Sequence, residues 1–516
     1  MADERHDNNN QEKSEGTIMK VTIENLGAIQ NAEINLKPLT VLIGPNNAGK
    51  TWLAYTLAGI FGANGRAKYV EAYTAGILTE KYPPLDEAIE KVLADGIATL
   101  DLVKFAEQYG EKYFQCVSDH ASQWMPDFMS TRFSAFDKMK IFIDLAASKA
   151  RFLEHVKQSS IEVNVARETF TISKRRGSSL LQAITSTEND EEITEQILPE
   201  QIRKRLIRNV MQTFHQSLYT RIAVFPTERT DLVTLNFQVP RSIKPLEDSG
   251  ERMREALNSI IKGLDQLQDL SETTSRDLWP REPLRKAIGP VGYFLSMLSA
   301  IFRIGPKEIE RRAKAAENDK RLKRYIDLSV ILERDILAGS LAFSPSEPNQ
   351  RREILFNLEN NIILEMPIVS SMVKELSSLV LYLRYLAQPD ELLIIDEPEM
   401  NLHPEAQVKM IEFLCMLVKA GLRVLITTHS TFMVDHLVNL MQAARYPQES
   451  QEDAETQDDL AERFFLKTAD AFIPEEHAAV YLIDQGTAEN VVHDAKIDWG
   501  TFGEVSDRVS RIYFSL

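Results

Sequence analysis

The chain has 516 residues, of which 44% are apolar and 26% charged, and it carries a formal net charge of −17 at pH 7. That length holds two or three domain-sized units around a large core, and the acidic balance excludes a surface that wraps nucleic acid throughout, because phosphate binding needs positive potential. Two cysteines, Cys116 and Cys415, without metal-ligand spacing exclude a disulfide frame.

Residues 1–18 are polar and aperiodic, the pattern of a disordered tail. Residues 19–64 open an α/β head. KVTIENLGAIQNAEINL alternates as two half-buried strands, and LTVLIGPNNAGKT reads as a buried strand, a glycine-rich turn and a helix start. Residues 65–160 read as a helical insertion, with Leu85, Ala88, Ile89, Val92 and Leu93 on one apolar face. Residues 161–240 return to head strands (IEVNVARETFTI, RIAVFP) and run into FPTERT, Phe225–Thr230.

A second helical insertion is expected over 241–335, where Pro280, Pro283, Pro290 and Pro306 exclude a continuous coiled coil. Its apolar stretch VGYFLSMLSAIF (Val291–Phe302) is too short to span a bilayer. Residues 336–516 resume the head with strands GSLAF and EILFNL, a helix opened by SSMVKELSS, and the strand ELLIIDEP. A further helix, the strand RVLITTHS and a last core strand AAVYLI follow. The expected fold is α/β, a head of mixed sheets flanked by helices and carrying two large helical insertions. With no signal peptide visible, a cytoplasmic protein without a membrane partner is expected.

GPNNAGKT matches the phosphate-loop pattern over Gly44, Pro45, Asn46, Asn47, Ala48, Gly49, Lys50 and Thr51. Glycines let backbone N–H groups curl around phosphates without a Cβ in the way. Lys50 brings positive charge to the γ-phosphate, and Thr51 offers its hydroxyl to Mg²⁺. LLIIDEP runs four apolar residues into Asp396 and Glu397, so a buried parallel strand delivers both carboxylates to the edge of the sheet that holds the loop. Asp396 is the expected second holder of Mg²⁺, and Glu397 the base that orients and deprotonates the attacking water. RVLITTHS ends at His429, placed as a γ-phosphate sensor.

GPNNAGKT, LLIIDEPEMNLHPEAQ and LITTHS resemble the ABC-type ATPase heads of the RecF, structural-maintenance-of-chromosomes (SMC) and overcoming-lysogenization-defect (OLD) group. IENLGAIQNAEI resembles the opening strands of that group and FPTERT its IPAER segment, while DEPExNLHP is especially similar to the OLD-like branch found in many bacterial anti-phage systems. The resemblance implies an ATP-driven homodimer or higher homo-oligomer. In such heads a serine-glycine signature at a helix N-terminus contacts the γ-phosphate held by the other subunit. Here Ser371-Met372-Val373-Lys374 stands at that place, without the glycines. Ser370 or Ser371 is expected to cap a helix whose Leu376, Leu379, Val380, Leu383 and Leu386 face the core, with Ser371 also meeting the partner's nucleotide.

Many OLD-like proteins add a metal-dependent nuclease domain of the Toprim type. VYLIDQGTAEN is only faintly similar to its opening, and no D-x-D follows before Leu516, so a final head strand and turn are expected. A separate effector, a nuclease or toxin, is then the expected partner. The alternatives are an ATP-locked scaffold with slow turnover that sequesters the effector, and a RecF-like DNA-repair ATPase. Three basic stretches, SKRRGSS (Ser173–Ser179), RKRLIR (Arg203–Arg208) and Lys307–Arg324, read chiefly as solvated faces, with a DNA or RNA contact as the lesser reading.

Overall fold

The structure, a computed structural model, describes residues 19–131, 134–165, 170–185, 198–238, 289–344, 353–447 and 456–497, together with 508, 511, 512 and 515. The expected tail over 1–18 and the first half of the second insertion, including Pro280 and Pro283, lie outside the described residues. The chain divides into two compact units. One holds Met1–Leu36, Tyr55–Pro126 and Thr131–Ile222; the other holds Lys37–Ala54, Asp127–Ser130 and Ala223–Leu516.

In the first unit, β1 (Met19–Leu26) and β2 (Ile29–Leu36) form the expected antiparallel hairpin, with Leu26 opposite Ile29. The segment 65–160 is not wholly helical. Strand Lys140–Asp144 pairs antiparallel with β1, and strand Ile97–Asp101 belongs to a four-stranded antiparallel sheet. That sheet takes its other strands, Leu180–Thr185, Phe170–Lys174 and Ile161–Val165, from the region expected to supply head strands. Alternation reports a strand with one buried face but not the sheet it joins. On helix Pro83–Asp95, Leu85, Ala88, Ile89 and Val92 are buried, but Leu93 is 41% exposed and leaves the predicted face.

Helix Pro199–Leu218 buries His215 among aromatic rings. Its Nε2 lies 3.0 Å from the carbonyl of Ile60 and its Nδ1 2.9 Å from the hydroxyl of Tyr113. A carbonyl only accepts, so Nε2 carries the proton and Nδ1 accepts from Tyr113. Burial, aided by the positive Arg66, pushes the imidazole pKa down to about 3.

The second unit is built on β3 (Leu39–Ile43), which leads through the glycine-rich loop into helix α1 (Lys50–Phe61). Then come β4 (Ile222–Phe225), α2 (Ser371–Tyr385), β5 (Leu392–Asp396), α3 (Pro404–Lys419), β6 (Arg423–Thr427), α4 (Thr431–Ala443), β7 (Ala478–Asp484) and β8 (Thr487–Asn490). The strand order is β8-β7-β3-β6-β5-β4. β3 lies between β7 and β6 and parallel to both, and β5 runs parallel to β6. Every residue of β3 and β5 is buried, as continuous apolar strands of a parallel sheet covered on both faces must be. The parallel direction brings the carboxyl ends of β3, β5 and β6 to one edge.

β7 and β8 form a hairpin with Asp484 opposite Thr487. Its two central residues, Gln485 and Gly486, both have positive φ, +46° and +83°, as a tight hairpin turn requires. VYLIDQGTAEN is therefore a core strand and its return. GSLAF and EILFNL pair antiparallel as Gly339–Phe343 and Ile354–Leu358. Two of the basic stretches also have structural work within their units. Lys174 is buried, its amine donating to the carbonyls of Lys157 and Ser159. Arg312 donates to the carbonyls of Leu383, Arg384 and Ala387, satisfying the open C-terminal end of α2.

The depressed pKa of His215 makes the first unit acid-sensitive. The unfolded chain takes up a proton near pH 6.5 that the folded chain refuses until about pH 3, so this contribution to stability falls as pH drops through that window. In His215→Gln the stability-versus-pH slope between pH 6.5 and 5 is expected to shrink by about one proton. Urea melts at both ends of that window measure it; an unchanged slope refutes the assignment.

Candidate active site

The loop after β3 has a backbone that only its own residues accept. Gly44 has φ +142°, and a Cβ there would stand 2.2 Å from the carbonyl oxygen of Ile483 on β7. Asn47 and Gly49 also take positive φ, +63° and +103°. Such reversals turn successive N–H groups to one side, where α1 adds its own N-terminus. Pro45, Asn46 and Asn47 are exposed, Ala48, Gly49 and Thr51 are half-buried, and Lys50 is buried. The Lys50 amine donates to the carbonyls of Gly44 (3.0 Å) and Pro45 (2.9 Å). Burial lowers its pKa, against the pull of Glu397, Asp396 and Glu399.

Asp396 ends β5 almost fully buried, at 1% exposure. Its Oδ1 accepts from the hydroxyls of Thr51 (3.0 Å) and Thr427, and its Oδ2 from Thr227 (2.9 Å). The predicted pair Thr51 and Asp396 is thus in contact across 345 positions of sequence. Two hard oxygen ligands side by side suit Mg²⁺, which takes one or two protein ligands plus phosphate oxygens and water rather than a closed protein cage. Consistent with that, the described residues contain no cluster of three or more His, Cys, Asp or Glu able to hold a metal alone. The residues present fit the ion that the loop implies.

Glu397 takes the left-handed conformation, φ +50°, which a residue with a Cβ enters only when its surroundings impose it. The constraint is visible on both sides of the residue. Its N–H donates to the carbonyl and the hydroxyl of Thr427, each at 3.1 Å, and its carbonyl accepts from Arg229 at 2.8 Å. The carboxylate points to His429, whose Nε2 is 3.6 Å from Oε1. Burial first, then repulsion from Asp396 and Glu399, raises the Glu397 pKa above the ordinary carboxylate value, the direction a general base needs. Burial and the Lys50 charge lower the pKa of His429.

The motif reading missed the residues that hold these groups. Arg229, 1% exposed, donates to the carbonyls of Pro226 (2.9 Å), Asp396 (2.6 Å) and Glu397 (2.8 Å), and ion-pairs with buried Glu375 of α2. Glu375 also accepts from the Thr230 hydroxyl. Burial raises the Glu375 pKa against the opposing pull of Arg229. Glu399 accepts the His429 N–H at 2.6 Å, and Gln407 accepts from the Ser430 hydroxyl, which in turn caps α4. The signal was present in FPTERT and in EMNLHPEAQ, but neither string states its contacts.

Ser370, not Ser371, caps α2, its hydroxyl accepting from Val373 N–H at 3.3 Å. Ser371 is the first helical residue and is exposed, and the Lys374 amine donates to Pro367 O of its own chain. Leu376, Leu379, Val380, Leu383 and Leu386 are all buried, as expected.

The fold is that of a P-loop ATPase head: α/β, with a mixed sheet flanked by helices. The chain belongs to the AAA_15 family, AAA ATPase domain, whose pattern it matches over residues 17–434.

The solved structures similar to it include three at 10% identity each. The SmcHead bound to the C-winged helix domain of ScpA has a TM-score of 0.33, with 92% of this chain and 97% of that chain covered. The Smc head domain with an extended coiled coil bound to the C-terminal domain of ScpA, from Pyrococcus furiosus, also gives 0.33, with 96% and 99% covered. The SMC head domain from Thermotoga maritima gives 0.28, with 92% and 99% covered. No curated protein matches the chain significantly. No helix of the described residues is long and apolar enough to cross a membrane.

Gly44→Ala is expected to lower ATP affinity by about tenfold or more, because the added Cβ forces the loop off its path. Calorimetric titration of ATP measures this; unchanged affinity refutes the assigned loop geometry.

Proposed function

We propose that this chain binds and hydrolyses ATP with Mg²⁺ at the site described, dimerises around ATP, and controls a separate effector protein, a nuclease or toxin, in bacterial anti-phage defence. The observation that carries the ATPase reading is the contact of Thr51 with Asp396, beside a Glu397 whose backbone is clamped toward His429. Lys50 and the loop N–H groups bind and orient the triphosphate. Thr51 and Asp396 are the holders of Mg²⁺, which when bound offsets phosphate charge. Glu397 takes the proton of the attacking water, and His429 faces the γ-phosphate. Nucleic acid is a secondary partner at most, given the net charge of −17.

Dimerisation and effector control rest on the likeness of GPNNAGKT, DEPEMNLHP and LITTHS to the RecF, SMC and OLD group, and the defence role on the OLD-like DEPEMNLHP string. The exposed Ser371 at the start of α2 supports a contact with the partner's nucleotide. Met372 in place of glycine favours slow turnover, since a Cβ prevents the closest backbone approach to phosphate.

Glu397→Gln, which keeps size but cannot take a proton, is expected to trap an ATP-bound dimer or larger assembly and to lower kcat by about 10²-fold or more. Light scattering with and without ATP reads the assembly; a mass independent of ATP refutes dimerisation around the nucleotide. Ser371→Arg is expected to abolish ATP-dependent association while ATP affinity within the subunit stays within about twofold, because the residue is exposed and outside the loop. Association that survives the substitution makes this stretch a helix start and nothing more.

A further inference from the structure

The Arg229–Glu375 pair joins two parts of the second unit to which the function gives different tasks. Glu375 sits on the first turn and a half of α2, the helix that opens at Ser371. Arg229 sits under the Asp396–Glu397 turn and donates to both of its carbonyls. Both residues are 1% exposed, and Thr230, next to Arg229, donates to the same carboxylate. A helix is stiff over one and a half turns, so a shift of Ser371 moves Glu375 with it. A buried ion pair whose partners are fully desolvated does not let one partner move alone, since that would leave an uncompensated charge in the core.

Beside the pair lies a small cavity of about 10 Å³, room for one water, lined by Arg229, Glu375, Leu379, Pro398 and Met410 among others. The receiving end is sensitive to small movements. Glu397 is held in the left-handed region by Thr427 on its N–H and Arg229 on its carbonyl, so moving Arg229 turns the peptide that aims the carboxylate.

We infer that Arg229 is a positioning residue for Glu397, and that Glu375 links it to α2 so that engagement of Ser371 by a partner's nucleotide sets the aim of the base in the same subunit. The inference rests on the ATP-bound dimer proposed above. It adds a direction of control: the helix that reports the neighbour's ATP adjusts hydrolysis of its own. A residue misplaced by about 1 Å costs about 10²-fold in rate, so a small shift is a sufficient switch.

The test compares turnover per subunit as a function of protein concentration, at saturating ATP. In the unmodified protein turnover rises as subunits associate. Glu375→Gln keeps the shape of the side chain but removes the charge that ties it to Arg229. It is expected to bind ATP within about twofold of the parent and to associate with ATP, yet to show kcat lowered by about 10- to 100-fold and no longer rising with concentration, with KM little changed. Thr230→Val, which removes only one hydroxyl donor to Glu375, is a milder second variant for use if Glu375→Gln fails to fold, and is expected to show a smaller loss of the same kind.

A merely structural role would lower stability and ATP binding together and leave the concentration dependence intact. Two failures are separable. An unmodified protein whose mass and turnover ignore ATP and concentration removes the engaged dimer and the relay with it. An unmodified protein that engages, beside variants that keep concentration-dependent turnover, overturns the relay alone.

Discussion

The Asp396 carboxylate is the contact on which the arrangement of the second unit's edge depends. A carboxylate at 1% exposure is costly unless donors replace the water it has lost. Here three threonines from three segments supply them: Thr51 on α1, Thr227 after β4 and Thr427 at the end of β6. One charge therefore fixes the helix of the phosphate loop, the FPTERT segment and the histidine strand relative to the end of β5. Parallel order in the sheet makes this feasible, because β3, β5 and β6 finish at the same edge. The same carboxylate is a natural ligand for a hard cation, so the feature that assembles the site also equips it.

Around that charge the backbone carries strain that the surroundings hold in place. Glu397 and Asn401 both lie in the left-handed region, at φ +50° and +59°, within six residues of Asp396. The segment EMNLHPEAQ, which follows β5 and runs into the first turn of α3, then does two jobs. Glu399 holds the backbone of His429, and Gln407 holds Ser430, the cap of α4. The spacing between Glu397 and His429 is thereby set by hydrogen bonds on both of their loops rather than by their own side chains. The two side chains are thus braced through their backbones, Glu397 by Thr427 and Arg229 and His429 by Glu399.

Much of this was legible in the sequence where the signal is local. The α/β class follows from periodicity and from three motifs, and the apolar runs LTVLI and LLIID announced buried parallel strands. The phosphate loop declared itself because glycine is demanded by φ and by the approach of Ile483. What was not legible depends on long-range contacts. IEVNVARETFTI alternates as any half-buried strand does, and nothing in it says that it joins a separate four-stranded sheet in the first unit. Leu93 fits a helical stripe and yet faces solvent, because the stripe marks a direction and the packing partner decides its width. Arg229 pairs with a residue 146 positions later, a distance over which no spacing rule operates.

The stretch SSMVKELSS shows how a segment departs from its family pattern and keeps its place in the fold. Ser370 satisfies the helix start, which leaves Ser371 exposed and Met372 only partly buried. Below them the helix packs tightly, with Leu376, Leu379, Val380 and Leu383 in the core and Arg312 closing its far end. The helix is held at its core face and at its C-terminal end, and of its first turn Ser371 is exposed while Val373 is buried. Glu375 follows that turn, and the charge it meets belongs to Arg229, which donates to the carbonyl of Glu397. The glycines of the resembling heads are absent here, and with them the close backbone approach they permit, while side-chain contacts run from Glu375 through Arg229 to the carbonyl of Glu397.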